Sequence, residues 1–280
     1  MTSNTDSERG LVCIGDNVVD DYVDQGVYYP GGNALNVAVL ARRFGLANVA
    51  YIGILADDEE GKHVRSSLVE EGLDDSYCRY VHGETGKAKV TLVKGDRVFV
   101  GSNNGGVRKR LALRMDEPDF TLLRQLGNAH STCYSYFEAE LPRIRSQLQQ
   151  LSFDFSTGRD KAYLAAMCPL VTTGFFSGSD MSDLETEGFV RDVHSLGVLT
   201  VCVTQGERGA VLSDGRSVLR QEIVAAKVVD TMGAGDAFIA GFLSARIQGA
   251  SLDAALLHAA TSASDACTWS GAFGHPHPAV

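Results

Sequence analysis

The chain is expected to fold as an α/β protein with a mainly parallel sheet and a small antiparallel sheet set into it. Three observations lead there. Short apolar runs alternate with helical patterns through most of the 280 residues. The alternation breaks once, between residues 76 and 102. The composition, 44% hydrophobic and 21% charged, supplies an ordinary globular core. Length alone does not choose between one large domain and two smaller ones.

Taken in order, LVCIG (11–15) is a buried strand that empties into Gly-Asp-Asn. NALNVAVLARRF (33–44) spaces Leu35, Val39 and Leu40 as a helix does and stops before Gly45. VAYIGIL (49–55) is the next strand, followed by a charged helix from about 58 to 71 that ends at Gly72. This order predicts a parallel sheet with helices packed on it. CRYVHG, KAKVTLVKG and DRVFVGS then predict short antiparallel strands, turning at Gly83, Gly86 and Gly95-Asp96, with 21–30 as a further candidate. Such an insert either covers a site or extends the edge of the core.

The α/β rhythm returns with strands at 128–134, 152–155, 169–173 and 198–203, and helices at 138–149, 160–166 and 181–196. A hairpin turning at Asp214-Gly215 follows, then helices at 234–248 and 252–268. The tail GHPHPAV carries two histidines beside prolines and is expected to be a loose terminus rather than a metal-binding pair.

Net charge is −10 without a long basic run, and Arg108-Lys109-Arg110 is expected at a solvated loop edge. Neither nucleic acid nor a membrane surface is therefore expected as a partner. The polar start MTSNTDSERG lacks an apolar signal region, and no apolar run is long enough to span a bilayer. The six cysteines are far apart with no CxxC pair, and several lie in strand-like runs, as reduced buried thiols do. The chain is expected to be cytoplasmic.

Neither GxxxxGK[ST] nor an N-terminal GxGxxG occurs, which sets aside the P-loop and the dinucleotide fingerprint. The informative stretch is VVDTMGAGDAFIAGFL (228–243). Gly233, Ala234 and Gly235 leave backbone amides uncovered at the start of a helix anchored by Phe238, Ile239, Phe242 and Leu243. Unpaired amides and the positive end of the helix dipole form an anion site. Asp236, in the first turn, is suited to take a proton from a hydroxyl that attacks phosphorus. The same spacing also fits a plain helix cap in a tight glycine turn.

DTMGAGD resembles the C-terminal signature of the ribokinase-like (PfkB) carbohydrate kinases, and GGNALNVAVLARRFG (31–45) resembles their N-terminal signature. GDNVVD (15–20) is similar to their first substrate-binding strand, and VTQGERGAV (203–211) to their ATP-binding strand and turn. The resemblance implies a three-layer α/β/α sandwich with a small β lid. The core would comprise 1–20, 31–75 and 107–280, and the lid 21–30 and 76–106. It also implies ATP as phosphoryl donor, Mg²⁺ with it, and a homodimer paired through the lid.

By the same resemblance Asp236 is the catalytic base, and the amides of Gly233, Ala234 and Gly235 are the anion hole. Asp16, Gly31, Gly32, Asn33 and Asn36 match sugar-binding positions, although Asp16 and Asn33 also suit capping and turns. Thr204, Gly206 and Gly209 match the turn against ATP, and Ser270, Gly271 and Ala272 the loop near the adenine. Asp230 and that last loop frame a monovalent-cation (K⁺) site in many members. One motif departs: the family's Asn-x-x-Glu, which organises Mg²⁺ through water, is replaced by Ser177 and Asp180 at the same spacing. Asp180 either substitutes for the glutamate or caps the following helix.

DTMGAGDAFIAGFL, FDFS (153–156), IGDNVVD and DRVF (96–99) resemble the fructoselysine (fructosamine) 6-kinases within the family. That resemblance implies O6 of a glycated amino acid as acceptor, with Arg159 or Glu84 as candidates to recognise the amino-acid part. Another ketose, an amino sugar or a nucleoside remains an alternative acceptor. A non-catalytic sugar or nucleotide sensor on the same fold is the alternative outside enzymes.

Overall fold

The computed structural model describes residues 9–93, 96–148 and 150–279. The polar start of the chain, Gly95 of the expected turn and the end of the helix expected at 138–149 lie outside the described residues. Strands β1 (Leu11–Gly15), β2 (Val18–Tyr22) and β3 (Val27–Gly31) precede helix α1 (Asn33–Arg43), strand β4 (Val49–Ala56) and helix α2 (Glu59–Glu70). Strands β5 (Arg79–Val81), β6 (Lys87–Val93) and β7 (Asp96–Ser102) lead to helices α3 (Gly106–Arg110) and α4 (Glu117–Leu126). Next come β8 (Asn128–Thr132), α5 (Leu141–Gln147), β9 (Gln150–Asp154), α6 (Lys161–Met167), β10 (Thr173–Ser177), α7 (Asp183–Ser195) and β11 (Thr200–Thr204). The chain closes with β12 (Ala210–Ser213), β13 (Val218–Gln221), α8 (Ala234–Ile247), α9 (Leu252–Ala266) and β14 (His277–Pro278).

Nine strands form one sheet in the order β13-β12-β11-β10-β9-β8-β1-β4-β5, all running the same way except β12, which pairs antiparallel with both its neighbours. Strand alternation divides its side chains between two cores. Leu11 and Cys13 pack with α1, α2, α8 and α9, whereas Val12 and Ile14 pack with residues of α4, α5, α6 and α7. The result is the expected three-layer α/β/α sandwich. From β1 the chain moves to β4 on one side, and later returns through β8 on the other. A crevice opens outside the carboxyl ends of parallel strands at such a reversal.

A second sheet, β14-β3-β2-β6-β7, stands against that crevice. It differs from the sequence expectation in three ways. β5, expected in the small sheet, pairs parallel with β4, because β4-α2-β5 is a crossover unit that returns to the same sheet. In its place β2 and β3 form a hairpin from 18 to 31. The tail, expected to be loose, is pinned: His277 pairs with Tyr28 of β3, and its ring stacks on the Tyr28 ring at 4.9 Å.

α3 and α4 are additions to the sequence reading. α4 carries a clear signal: Asp116 and Asp119 form a capping box, and Gly127 ends the helix in a left-handed conformation. The strand expected at 169–173 lies at 173–177, since Cys168–Leu170 with Pro169 forms a 3₁₀ turn first.

Candidate active site

A cavity of about 480 Å³ occupies the crevice. Asp16, Asp154, Ser177 and Thr204, at or just past the ends of β1, β9, β10 and β11, line its floor. Gly32, Asn33 and Asn36 come from the start of α1, and Gly233, Gly235 and Asp236 from the start of α8. Val18, Asp20, Ala88 and Phe99 bring in the small sheet as one wall.

α1 starts at Gly32, which has φ 110° and no side chain to cap with. A Cβ there would lie 2.6 Å from the Cα of Asn17, so only glycine lets the two loops touch. The cap comes from another strand. Asp16 accepts from the amides of Asn33 (2.7 Å) and Ala34 (3.1 Å), and from the hydroxyls of Thr132 (3.2 Å) and Ser135 (3.0 Å). Asp16 therefore caps α1 while still lining the cavity, so the two sequence readings of it coexist. Gly31 stays bare for a similar reason: any Cβ would overlap the Asp20 carboxylate.

Asp236 lies in the first turn of α8 and is 7% exposed. Asn36, one turn along α1 from Asn33, donates from Nδ2 to Asp236 at 2.7 Å, while its own Oδ1 is buried and unpartnered. The amide holds the carboxylate in place without neutralising it. The glycines on either side of Ala234 have different reasons. Gly233 has φ 74°, and a Cβ would lie 2.7 Å from that of Ala272, so packing requires glycine. A Cβ on Gly235 would meet nothing within 4 Å and point into open space. Ala234 does not line the cavity, and its amide donates to Thr231 at 3.3 Å across the turn. Gly233 and Gly235 are the members of the trio at the cavity surface.

Asp154 escaped the sequence reading. Burial strips it of water and pushes its pKa up to about 6, although the Ser156 amide (2.8 Å) and the Asn33 side chain (3.2 Å) oppose that rise. The nearby Asp16 carboxylate adds to the rise. Its signal was available: like Asp16, it is an acid at the end of an apolar strand. Asp20 closes the quoted GDNVVD. Arg108, expected at a solvated loop edge, lies on α3 and lines the cavity, because that short helix turns back over the strand ends.

On the opposite side Thr204 lines the cavity, while Gly206, Gly209, Gly271 and Ala272 do not. Gly206 opens the turn after β11. Gly209 is held against Gln221 of β13, and Gly271 against the ring of Tyr29. Arg159 is likewise outside the lining; it forms a forked pair with Asp180 at 2.8 and 2.6 Å. That guanidinium pulls the exposed Asp180 down to about 2. Asp180 is not the cap of α7: Ser182 is, with Glu185 completing a capping box. Asp230, fully buried, accepts from the Tyr22 hydroxyl (2.5 Å) and from the amides of Met232 and Gly271 (both 2.9 Å).

A carboxylate beside a helix N-terminus, facing a cavity floored with polar groups, is equipped to deprotonate a hydroxyl while phosphate rests on the amides. Fold and site together define a small-molecule kinase. The chain belongs to the pfkB family of carbohydrate kinases: the profile described as "pfkB family carbohydrate kinase" matches residues 8–132 and 164–277. It is 47% identical over 269 residues to the fructosamine kinase FrlD of Bacillus subtilis (strain 168), covering 96% of this chain and 94% of that one. To the fructoselysine 6-kinase of Escherichia coli (strain K12) it is 33% identical over 267 residues, covering 95% and 100%. Among solved structures it superposes on Arabidopsis thaliana ribokinase complexed with ribose and ATP, with TM-score 0.79, 21% identity and 95% of each chain. A putative ribokinase II from E. coli, in complex with ATP and Mg²⁺, also gives 0.79 at 21% identity, covering 95% of this chain and 94% of that one.

Proposed function

We propose that this carbohydrate kinase transfers the γ-phosphoryl group of MgATP to O6 of a fructosamine, a ketose carrying an amino acid at C1. The observation that carries the reading is Asp236, held by Asn36 at 2.7 Å beside the open position of Gly235. Asp236 accepts the O6 proton as O6 attacks phosphorus, the bond between Pγ and the bridging oxygen breaks, and ADP leaves. The amides at Gly233 and Gly235 stabilise the charge on the transferring group. Asp16, Asn33 and Asn36 orient the sugar, and Thr204 with the turn at Gly206 borders the nucleotide. The relatives named for fructosamine and fructoselysine support the acceptor class.

No cluster of three metal-ligating side chains occurs among the described residues. That fits Mg²⁺ carried on the ATP phosphates with its own waters. Asp180, with both oxygens on Arg159, serves it through water at most. We assign Asp230 to structure rather than to K⁺, since three protein donors converge on its carboxylate. The small sheet is our proposed lid. Its edge strand β7 exposes Val98, Phe99 and Val100 in a row, a surface suited to pairing with a second copy. Sedimentation showing a clean monomer at working concentration would remove the dimer. All six cysteines are free, as a cytoplasmic setting keeps them.

The test is ATP turnover with fructoselysine, fructose, ribose and glucosamine, run beside Asp236→Asn. Turnover with fructoselysine that falls about a thousandfold in the variant is expected, the loss of a positioned base and its electrostatics. Saturable ATP binding without turnover on any acceptor would instead favour the sensor.

A further inference from the structure

Resting on the fructosamine reading, we infer that Arg108 receives the carboxylate of the acceptor's amino-acid part and so separates a glycated amino acid from a free ketose. The cavity's charge pattern comes first. Asp16, Asp20, Asp154 and Asp236 line it, and among the described residues Arg108 is the cationic one in its lining. In a chain of net charge −10, that guanidinium is a place in the cavity where a substrate carboxylate meets a cationic side chain. The acids suit the other charged group of such a substrate, the cationic secondary amine that joins sugar to amino acid.

Position comes next. Polar residues follow one another along the floor from the base to the cation, hydrogen-bonded over parts of the way. Asn36 bonds Asp236, and Asn33 lies one turn away on the same face of α1. Asn33 bonds Asp154, and Asp154 accepts from the Ser156 amide. The Ser156 hydroxyl meets the Tyr134 hydroxyl at 3.0 Å, and Arg108 Nη1 donates to the Tyr134 carbonyl. Asp236 and Arg108 thus stand at opposite ends of one polar track. A ketose with O6 at Asp236 directs its C1 substituent along that track.

Arg108 is held ready rather than used up. Its guanidinium stacks over the Tyr136 ring at 5.2 Å, its Nε is buried without a partner, and it forms no ion pair among the described residues. Arg159, the candidate from sequence, differs on both counts: it lies outside the cavity lining and is forked onto Asp180. An arginine fork matches a carboxylate in two parallel hydrogen bonds.

The experiment compares fructoselysine with fructosyl-cadaverine, the same molecule without its carboxylate, on the wild type, Arg108→Gln and Arg108→Lys. The wild type is expected to favour fructoselysine in kcat/KM by about 10- to 100-fold, the range of a charge-assisted pair. Arg108→Gln is expected to lose that preference, its kcat/KM falling more on fructoselysine than on fructosyl-cadaverine, and Arg108→Lys to keep part of it. An equal loss on both acceptors in Arg108→Gln overturns the assignment. Should that variant not fold, the wild type alone decides: no preference for the carboxylate overturns it too. A wild type that phosphorylates another sugar but neither glycated amine overturns the fructosamine reading itself, before any substitution is made.

Discussion

Asp154 carries a cost that its neighbours only partly offset. Its carboxylate is 7% exposed and titrates near pH 6 because burial disfavours the charged form. A carboxyl whose folded pKa is raised favours the folded state fully below its unfolded pKa, and that support is lost as pH rises through about 6. Asp154→Asn removes the charge; its amide oxygen can keep the bond from the Ser156 amide, while its NH2 faces Asn33, whose own side-chain amide can turn to accept it. The variant is therefore expected to be more stable than wild type at pH 8, by at most about 3 kcal/mol. The gap should close as pH falls below 4. Urea unfolding at pH 4, 6 and 8 measures this, and a gap independent of pH would show that folding does not raise the Asp154 pKa. Asp16 and Asp236, both in the cavity lining, were singled out by the motifs that resemble the family's, since spacing alone fitted caps and turns equally well. Arg108 was not. Its place depends on α3 folding back over strands remote in sequence, and nothing in Arg-Lys-Arg separates a cavity wall from a loop edge.

At the level of elements, α8 is buried from Asp236 to Ala245, and it packs between α1 and α9 through small residues. Gly241 is the closest approach. A Cβ there would lie 2.8 Å from the Cβ of Ser262 and 3.2 Å from the Cα of Ala259 on α9. Gly→Ala inside a helix ordinarily gains about 1 kcal/mol from backbone propensity. Here the overlap with α9 should reverse the sign, so Gly241→Ala is expected to lower the melting temperature by several degrees. Ser262→Gly, which removes the atoms in the way, should restore much of the loss. Calorimetry on the two single variants and the double closes the cycle; additive losses would mean that the two helices do not meet as described. The α/β order, the buried helix behind GAGD and the inserted sheet were legible because period and glycine punctuation are local signals. Which sheet β5 joins, and the pinning of the tail onto β3, were not. Both are decided by pairing between segments far apart in the chain, where a half-exposed three-residue strand carries almost no pattern of its own.

Across the whole molecule, a buried hydrogen bond links the small sheet to the loop that leads into the GAGD turn. β2 carries Asp20 into the cavity and, two residues on and so on the same face, Tyr22 to Asp230. Burial, and then the Asp230 carboxylate, push the Tyr22 phenol well above its ordinary range, so it stays a donor. Asp230 in turn holds the amides of Met232, next to Gly233, and of Gly271, which also rests on the Tyr29 ring of β3. The cavity wall formed by the small sheet is thereby held in place relative to the glycine turn. Tyr22→Phe keeps the ring and deletes the donor, leaving a buried carboxylate one hydrogen bond short. A loss of about 1–3 kcal/mol in unfolding free energy is expected, together with a severalfold fall in kcat as the turn slackens. KM for the acceptor should change less, because Asp16, Asn33 and Asn36 stay where β1 and α1 put them. The same hub predicts that wild-type turnover is unchanged when K⁺ is replaced by tetramethylammonium. Steady-state kinetics in the two salts, on wild type and Tyr22→Phe, address both points. If K⁺ accelerates the wild type strongly, the Asp230 carboxylate shares its donors with a cation. If kcat in Tyr22→Phe matches wild type while stability falls, the bond holds the fold together without setting the turn.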